Sequence, residues 1–130
     1  MSNLHLTEIG RVAVPAADQD RALEFYAGAL GMEKRIDAME EEAGRRFLVV
    51  APPGSHMGLA IVKGDDADGT TAKIGGFSGI VLGTDDVEGT HAELVETGVS
   101  FIESPTKQEW GALQALLVDP DENVLVLHEN

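Results

Sequence analysis

The sequence repeats itself, and the repeat restricts the possible folds more than any other feature. Residues 9–15 read as a short strand, after which Asp18 opens an apolar-periodic segment, 21–30, closed by Gly31. An Asp carboxylate accepts the orphan N–H groups of a first helical turn, and glycine tolerates the positive φ that ends a last one. Residues 77–83 read as a second strand of the same kind. Asp85 with Glu88 forms a candidate capping box, and Val87, His91 and Leu94 keep helical spacing up to Gly98. Asp18 answers Asp86 and Gly31 answers Gly98, with a one-residue slip between the pairs.

The match continues beyond each helix. Three strand-like runs, 33–39, 45–51 and 57–63, come after Gly31, and three more, 99–103, 111–118 and 123–128, come after Gly98. Proline, glycine and acidic clusters break them at 40–44, 52–56, 104–110 and 119–122, as turns require. Each half is therefore strand, helix, strand, strand, strand. A half of about 55 residues buries too little to stand alone, so the halves are expected to pair, within a chain or between chains. The reading is one α+β domain over 1–130, with a first βαβββ module at 8–64, a linker at 65–75 and a second module at 76–129.

Composition narrows the function classes. The 130 residues carry 9 Lys+Arg against 23 Asp+Glu, a formal net charge of −14. A nucleic-acid backbone or an anionic membrane calls for a basic face, so neither is expected as a partner. Cysteine is absent, which removes disulfides, thiolate ligands and a cysteine nucleophile together. Residues 1–8 lack the basic-then-apolar pattern of a secretory signal, and no apolar run reaches the roughly 20 residues of a membrane span. The expectation is a soluble cytoplasmic protein. Gly-x-Ser-x-Gly, G-x-G-x-x-G and P-loop motifs are all missing.

Two stretches carry a family resemblance. The run VAVPAADQDRALEFYAGALGM resembles the first strand and helix of the vicinal oxygen chelate superfamily, which holds glyoxalase I, bleomycin-resistance and extradiol dioxygenase proteins. The end, WGALQALLVDPDENVLVLHE, resembles its closing hairpin, whose turn usually reads Asp-Pro-Asp-Gly-Asn; Glu122 stands here in place of the glycine. The resemblance spans nearly all of 9–129 and implies that the paired βαβββ modules form a cup-like mixed sheet around a cavity. In metal-dependent members, four ligands from the first and last strands of each module line that cavity. Those positions fall on Arg11, Ala60, Gly79 and Val126. A guanidinium is a fixed cation, and Ala, Gly and Val offer no side-chain donor. No metal and no other cofactor is therefore expected at the family's site. The histidines, His5, His56, His91 and His128, form no ligand-spaced pair that would relocate it.

Strand alternation sketches the cavity wall. Arg11 and Ala13 share a face of the first strand, and Phe47 and Val49 share one of the third. Gly58, Ala60 and Val62 share a face of the fourth, and Gly79, Val81 and Gly83 one of the fifth. Gln114, Leu116 and Val118 share one in the seventh, and Val124, Val126 and His128 one in the eighth. The candidate ligand-binding set is Arg11, Phe47, Ala60, Gly79, Trp110, Gln114, Val126 and His128. An apolar wall with a few polar points suits a small organic molecule. Arg11 has two readings, pairing with a nearby carboxylate or receiving an anionic or carbonyl group of a ligand. Trp110 has two as well, a core plug or a stacking wall at the cavity mouth. The functional expectation is a metal-free small-molecule-binding protein, ligand-sequestering and homodimeric. The alternatives are a lyase, isomerase or dioxygenase of the same superfamily with a relocated or absent metal site, and a partner protein that has kept only the fold.

Overall fold

The computed structural model describes residues 5–42, 44–64 and 73–130. In the first module β1 (Arg11–Ala16) leads into α1 (Gln19–Leu23), which continues as a wider π-helical segment, Glu24–Ala29. β2 (Glu33–Glu40), β3 (Arg45–Ala51) and β4 (Gly58–Lys63) complete it. The second module repeats the order with β5 (Gly76–Thr84), α2 (Val87–Glu96), β6 (Ser100–Lys107), β7 (Leu113–Val118) and β8 (Asn123–Glu129). Each builds a 4-stranded mixed sheet, β1-β4-β3-β2 and β5-β8-β7-β6, whose first and last strands pair in parallel. This is the βαβββ repeat read from the sequence. Most of the expected linker, 65–72, lies outside the described residues.

The helix signals act largely as read. Asp18 caps α1 by accepting from the backbone N–H groups of Asp20 and Arg21, and Gly31 and Gly98 take positive φ just past the helices. In the second module the cap is Asp86 rather than Asp85. Its carboxylate accepts from Gly89 N, so the Asp85–Glu88 box does not form. β6 also runs into the expected break at 104–110, as far as Lys107. Register irregularities between Phe101 and Glu103, and between Glu103 and Thr106, let this edge strand carry Pro105 without losing its ladder.

Alternate residues of both sheets pack into one continuous core. Val14, Leu48, Val50, Leu59 and Ile61 of the first module join Ala115, Leu117, Leu125 and Leu127 of the second. Ala22 and Tyr26 from the first helical segment, with Val87 and Leu94 from α2, complete it. Phe25 packs partly buried against Tyr26, edge to face, with ring centroids 5.0 Å apart.

A buried polar cluster locks the two modules at a fixed relation. Asp119, at the end of β7, accepts from Tyr26 OH at 2.7 Å and from Asn123 Nδ2 at 2.9 Å. It also accepts from the backbone N–H groups of Asp121 and Asn123, each at 2.9 Å. Asn123 Nδ2 donates to Pro15 O on β1 at 2.8 Å, and Arg21 donates to Pro120 O at 2.9 Å. The Asp-Pro-Asp-x-Asn turn of the second module is thus tied to the first strand and helix of the other. Burial, then the hydrogen bond and charge of Asp119, push the Tyr26 phenol far above its usual pKa and keep it neutral.

This turn yields two expected outcomes. Tyr26→Phe removes a buried hydrogen bond to a carboxylate and is expected to cost about 1–3 kcal/mol in urea unfolding; an unchanged midpoint would show that the bond does not brace the modules. Glu122 has φ 64, the left-handed region that a side chain disfavours. Glu122→Gly is expected to raise stability by about 0.5–1 kcal/mol in the same measurement, the relief of strain outweighing glycine's chain entropy.

Candidate functional site

Because the inner faces of both sheets share one core, their outer faces point away from it. In β1, Val14 is buried and Val12 packs on the core, while Arg11 and Ala13 lie on the exposed side. Phe47 and Val49 of β3 and Gly58, Ala60 and Val62 of β4 alternate in the same way with core residues. In the second module Val81, Gln114, Leu116, Val126 and His128 alternate with Ile80, Leu82, Ala115, Leu117, Leu125 and Leu127. Each sheet therefore presents its own outer face, and the single chain does not bring the two halves of the candidate set together. Phe77 is 70% exposed, Val81 58% and Phe47 38%, so large apolar side chains stand uncovered on both faces.

On the first face the Arg11 guanidinium carbon lies 4.9 Å from the centroid of the Phe47 ring. The two residues sit on β1 and β3, with β4 between them, so the side chain crosses the intervening strand where Gly58 and Ala60 lack bulk. Among the described residues the ion pairs are Lys34–Asp37, Arg35–Glu33 and Arg46 with Asp20 and Asp37. Arg11 is in none of them, so the carboxylate-paired reading of this residue finds no partner here. The Arg46 and Lys34 hydrogen bonds instead hold the Asp37 carboxyl well below the usual range, on the opposite side of the sheet.

On the second face the strand register aligns Thr106, Gln114, His128 and Gly83 in one row across the sheet. Glu103, Leu116, Val126 and Val81 form the next. Glu103 and Thr106 were not expected at this face, since the sequence placed Thr106 in a turn; the register irregularity between them, which brings residues three apart to one face, has no signal in simple β alternation. Gly79 is explained by the backbone. It has φ 78 within the irregularity between Phe77 and Val81, where Ser78 Oγ donates to Val124 O and accepts from Ile80 N. Val81 rather than Gly79 is the register partner of Val126.

Trp110 does not plug the core. It is 69% exposed in the turn between β6 and β7, where Gln108 and Gly111 close the backbone. His56 is exposed in the turn before β4, and His91 packs edge-on against Phe101 with ring centroids 4.5 Å apart. A cleft of about 700 Å³ does exist, between the modules on the core side. Residues 28–32, Met57, Ile80, Leu82, Thr90 and Glu93 line it, with Gly58, Val81 and Gly83 of the predicted cavity wall at its border, and none of the eight candidate ligand-binding residues does.

The donor set does not fit a metal ion. Ala60 and Val126 are nearly buried apolar side chains, Gly79 serves the strand irregularity, and Arg11 is cationic. Among the described residues no group of three or more His, Asp or Glu stands close enough to hold one.

Known proteins share this architecture. The profile of the Glyoxalase/Bleomycin resistance protein/Dioxygenase superfamily matches residues 8–127, and the chain belongs to that superfamily. It is 32% identical over 125 residues to the uncharacterized protein YetH of Bacillus subtilis (strain 168), covering 95% of this chain and 99% of that one. A member of the superfamily from Sphaerobacter thermophilus DSM 20745 superposes with a TM-score of 0.89 at 34% identity, covering 98% and 100% of the two chains. TnmS3, described as an antibiotic binding protein from Streptomyces sp. CB03234, superposes at 0.81 with 31% identity and 98% coverage of both. No helix among the described residues is long and apolar enough to cross a membrane.

The donor set predicts that titrating the purified protein with Zn²⁺, Ni²⁺ or Mn²⁺ leaves its melting temperature unchanged. Calorimetry that finds stoichiometric binding of any of these ions would overturn that expectation.

Proposed function

We propose that this chain is a metal-free small-molecule-binding protein of the glyoxalase/bleomycin-resistance type, which acts by sequestering its ligand. The observation that carries the reading is the pair of outer sheet faces. They leave Phe47, Phe77 and Val81 uncovered in the single chain and set polar side chains among them, Arg11 on the first face and Thr106, Gln114, His128 and Glu103 on the second. Apolar burial supplies affinity on such a wall, and a few polar groups fix orientation. The antibiotic-binding relative TnmS3 supports the same direction. The ligand-contacting set is Arg11, Phe47, Ala60, Gly79, Trp110, Gln114, Val126 and His128.

The cup is completed by a second copy of the chain. The polar cluster around Asp119 holds the modules with their outer faces turned apart, so one face cannot fold over the other within a chain. A homodimer in which the first module of one protomer meets the second module of its partner covers Phe47, Phe77 and Val81 at once. It also covers the free outer edges of β1 and β5, which an isolated chain leaves unpaired. Within this reading the 130 residues form one domain whose working unit is two chains, soluble in the cytoplasm. The charge of −14 favours neither nucleic acid nor membrane as a partner.

Sedimentation is expected to give twice the 13.8 kDa chain mass, and a monomer would overturn the dimer. A thermal-shift scan against aromatic, cationic and carboxylate small molecules tests binding itself. A ligand at about a hundred times its Kd adds about 2.7 kcal/mol, enough to raise the melting temperature by several degrees. A flat response across the whole scan would overturn the small-molecule reading.

A further inference from the structure

We propose that the outer face of the first module selects a flat aromatic ligand bearing an anionic oxygen group, such as a carboxylate or phenolate. Arg11 receives the anion there and Phe47 supports the guanidinium from below. The inference rests on the small-molecule reading above and names the ligand class for the same site.

Three observations carry it. The Arg11 guanidinium lies over the Phe47 ring at 4.9 Å, a cation–π contact that holds the planar group over the sheet. A guanidinium stacked on one face keeps its other face for a second ring and its in-plane N–H groups for a bidentate oxygen pair. Next, Arg11 has no carboxylate partner among the described residues, although 23 acidic residues are available in the chain. Lastly, its surroundings are small and apolar. Gly58 is its register partner on β4, Ala13 pairs with Ala60 two residues on, and Val49 lies across from Ala60 on β3. Once the cup closes, such walls make an unpaired cation costly, a cost that an incoming anion relieves in competition with Glu103, the carboxylate on the facing second-module surface.

The net charge of −14 points the other way, toward a cationic ligand, and the two effects differ in range. Dispersed surface charge is screened over about 8–10 Å at ordinary ionic strength. A guanidinium in direct contact with the ligand inside a low-dielectric cup is screened far less. The local cation therefore decides selectivity, and the surface charge governs solubility.

Three probes of one shape separate the possibilities: 2-naphthoate, 2-naphthamide and 2-naphthylmethylammonium, titrated by calorimetry into the intact protein. Naphthoate is expected to bind at least about tenfold more tightly than the amide, equivalent to about 1.4 kcal/mol, with the ammonium weakest. Arg11→Gln should erase the preference while leaving amide affinity in place. Phe47→Leu should weaken all three probes, and Arg35→Gln should change nothing. Both altered site positions are exposed in the single chain, and a circular-dichroism melt confirms that each variant is folded. Equal binding of all three probes, tighter binding of the ammonium, or a preference that survives Arg11→Gln overturns the inference while leaving small-molecule binding intact. Failure of all three probes also overturns it, and the thermal-shift scan then decides independently whether the broader reading stands.

Discussion

The buried carboxylate of Asp119 is the constraint on which the rest of the arrangement depends. It lies at the end of β7, gathers donors from the Tyr26 phenol, the Asn123 amide and two backbone N–H groups, and reaches β1 through Asn123 and Pro15. A carboxylate taken out of water is costly unless its oxygens are satisfied, and here they are. Satisfying them needs residues from both modules at once, so the modules have little freedom to turn against each other. Their apolar inner faces merge into one core, and their outer faces are left uncovered by the rest of the chain.

That geometry alters how the missing metal donors are understood. Losing a ligand set could leave a hollow with no chemical character. In this chain one of the positions carries a permanent cation, settled on an aromatic ring across two neighbouring strands. Small residues at Gly58 and Ala60 give it passage. Gly79 has a separate cause, since the strand irregularity around it demands a left-handed backbone, and its lack of a donor says little about ligand recognition. The positions that the resemblance assigns to ligands are therefore polarised at one point rather than uniformly empty of charge.

Much of the fold was legible because it is encoded locally. Asp18 and Gly31 signal helix ends through backbone chemistry that involves only near neighbours. Alternation in β1, β3, β4, β7 and β8 sorts side chains by face because the strand period is two. Errors arose where neighbours compete or where packing decides. Asp86 rather than Asp85 caps α2, a choice between adjacent carboxylates that turns on backbone direction. β6 absorbs Pro105 because it lies at a sheet edge, a property of strand order that local sequence does not contain. Trp110 looked able to fill a core, yet the turn that carries it leaves it on the surface.

By itself the sequence determined the repeat, the two βαβββ units and the faces of the residues in β1, β3, β4, β7 and β8, and with the family resemblance it showed no metal donors at the expected positions. The repeat, the units and the faces come from residue type and short-range periodicity; the ligand positions are what the resemblance implies. Only the tertiary structure decided how the units sit together, which residues of the Asp-Pro-Asp-x-Asn turn bind them, and where the Arg11 side chain comes to rest. Those depend on contacts between Tyr26 and Asp119, Pro15 and Asn123, and Arg11 and Phe47, residues far apart in the chain. Periodicity assigns a side chain to a face, but the partner it meets there is set by how the sheets and helices pack.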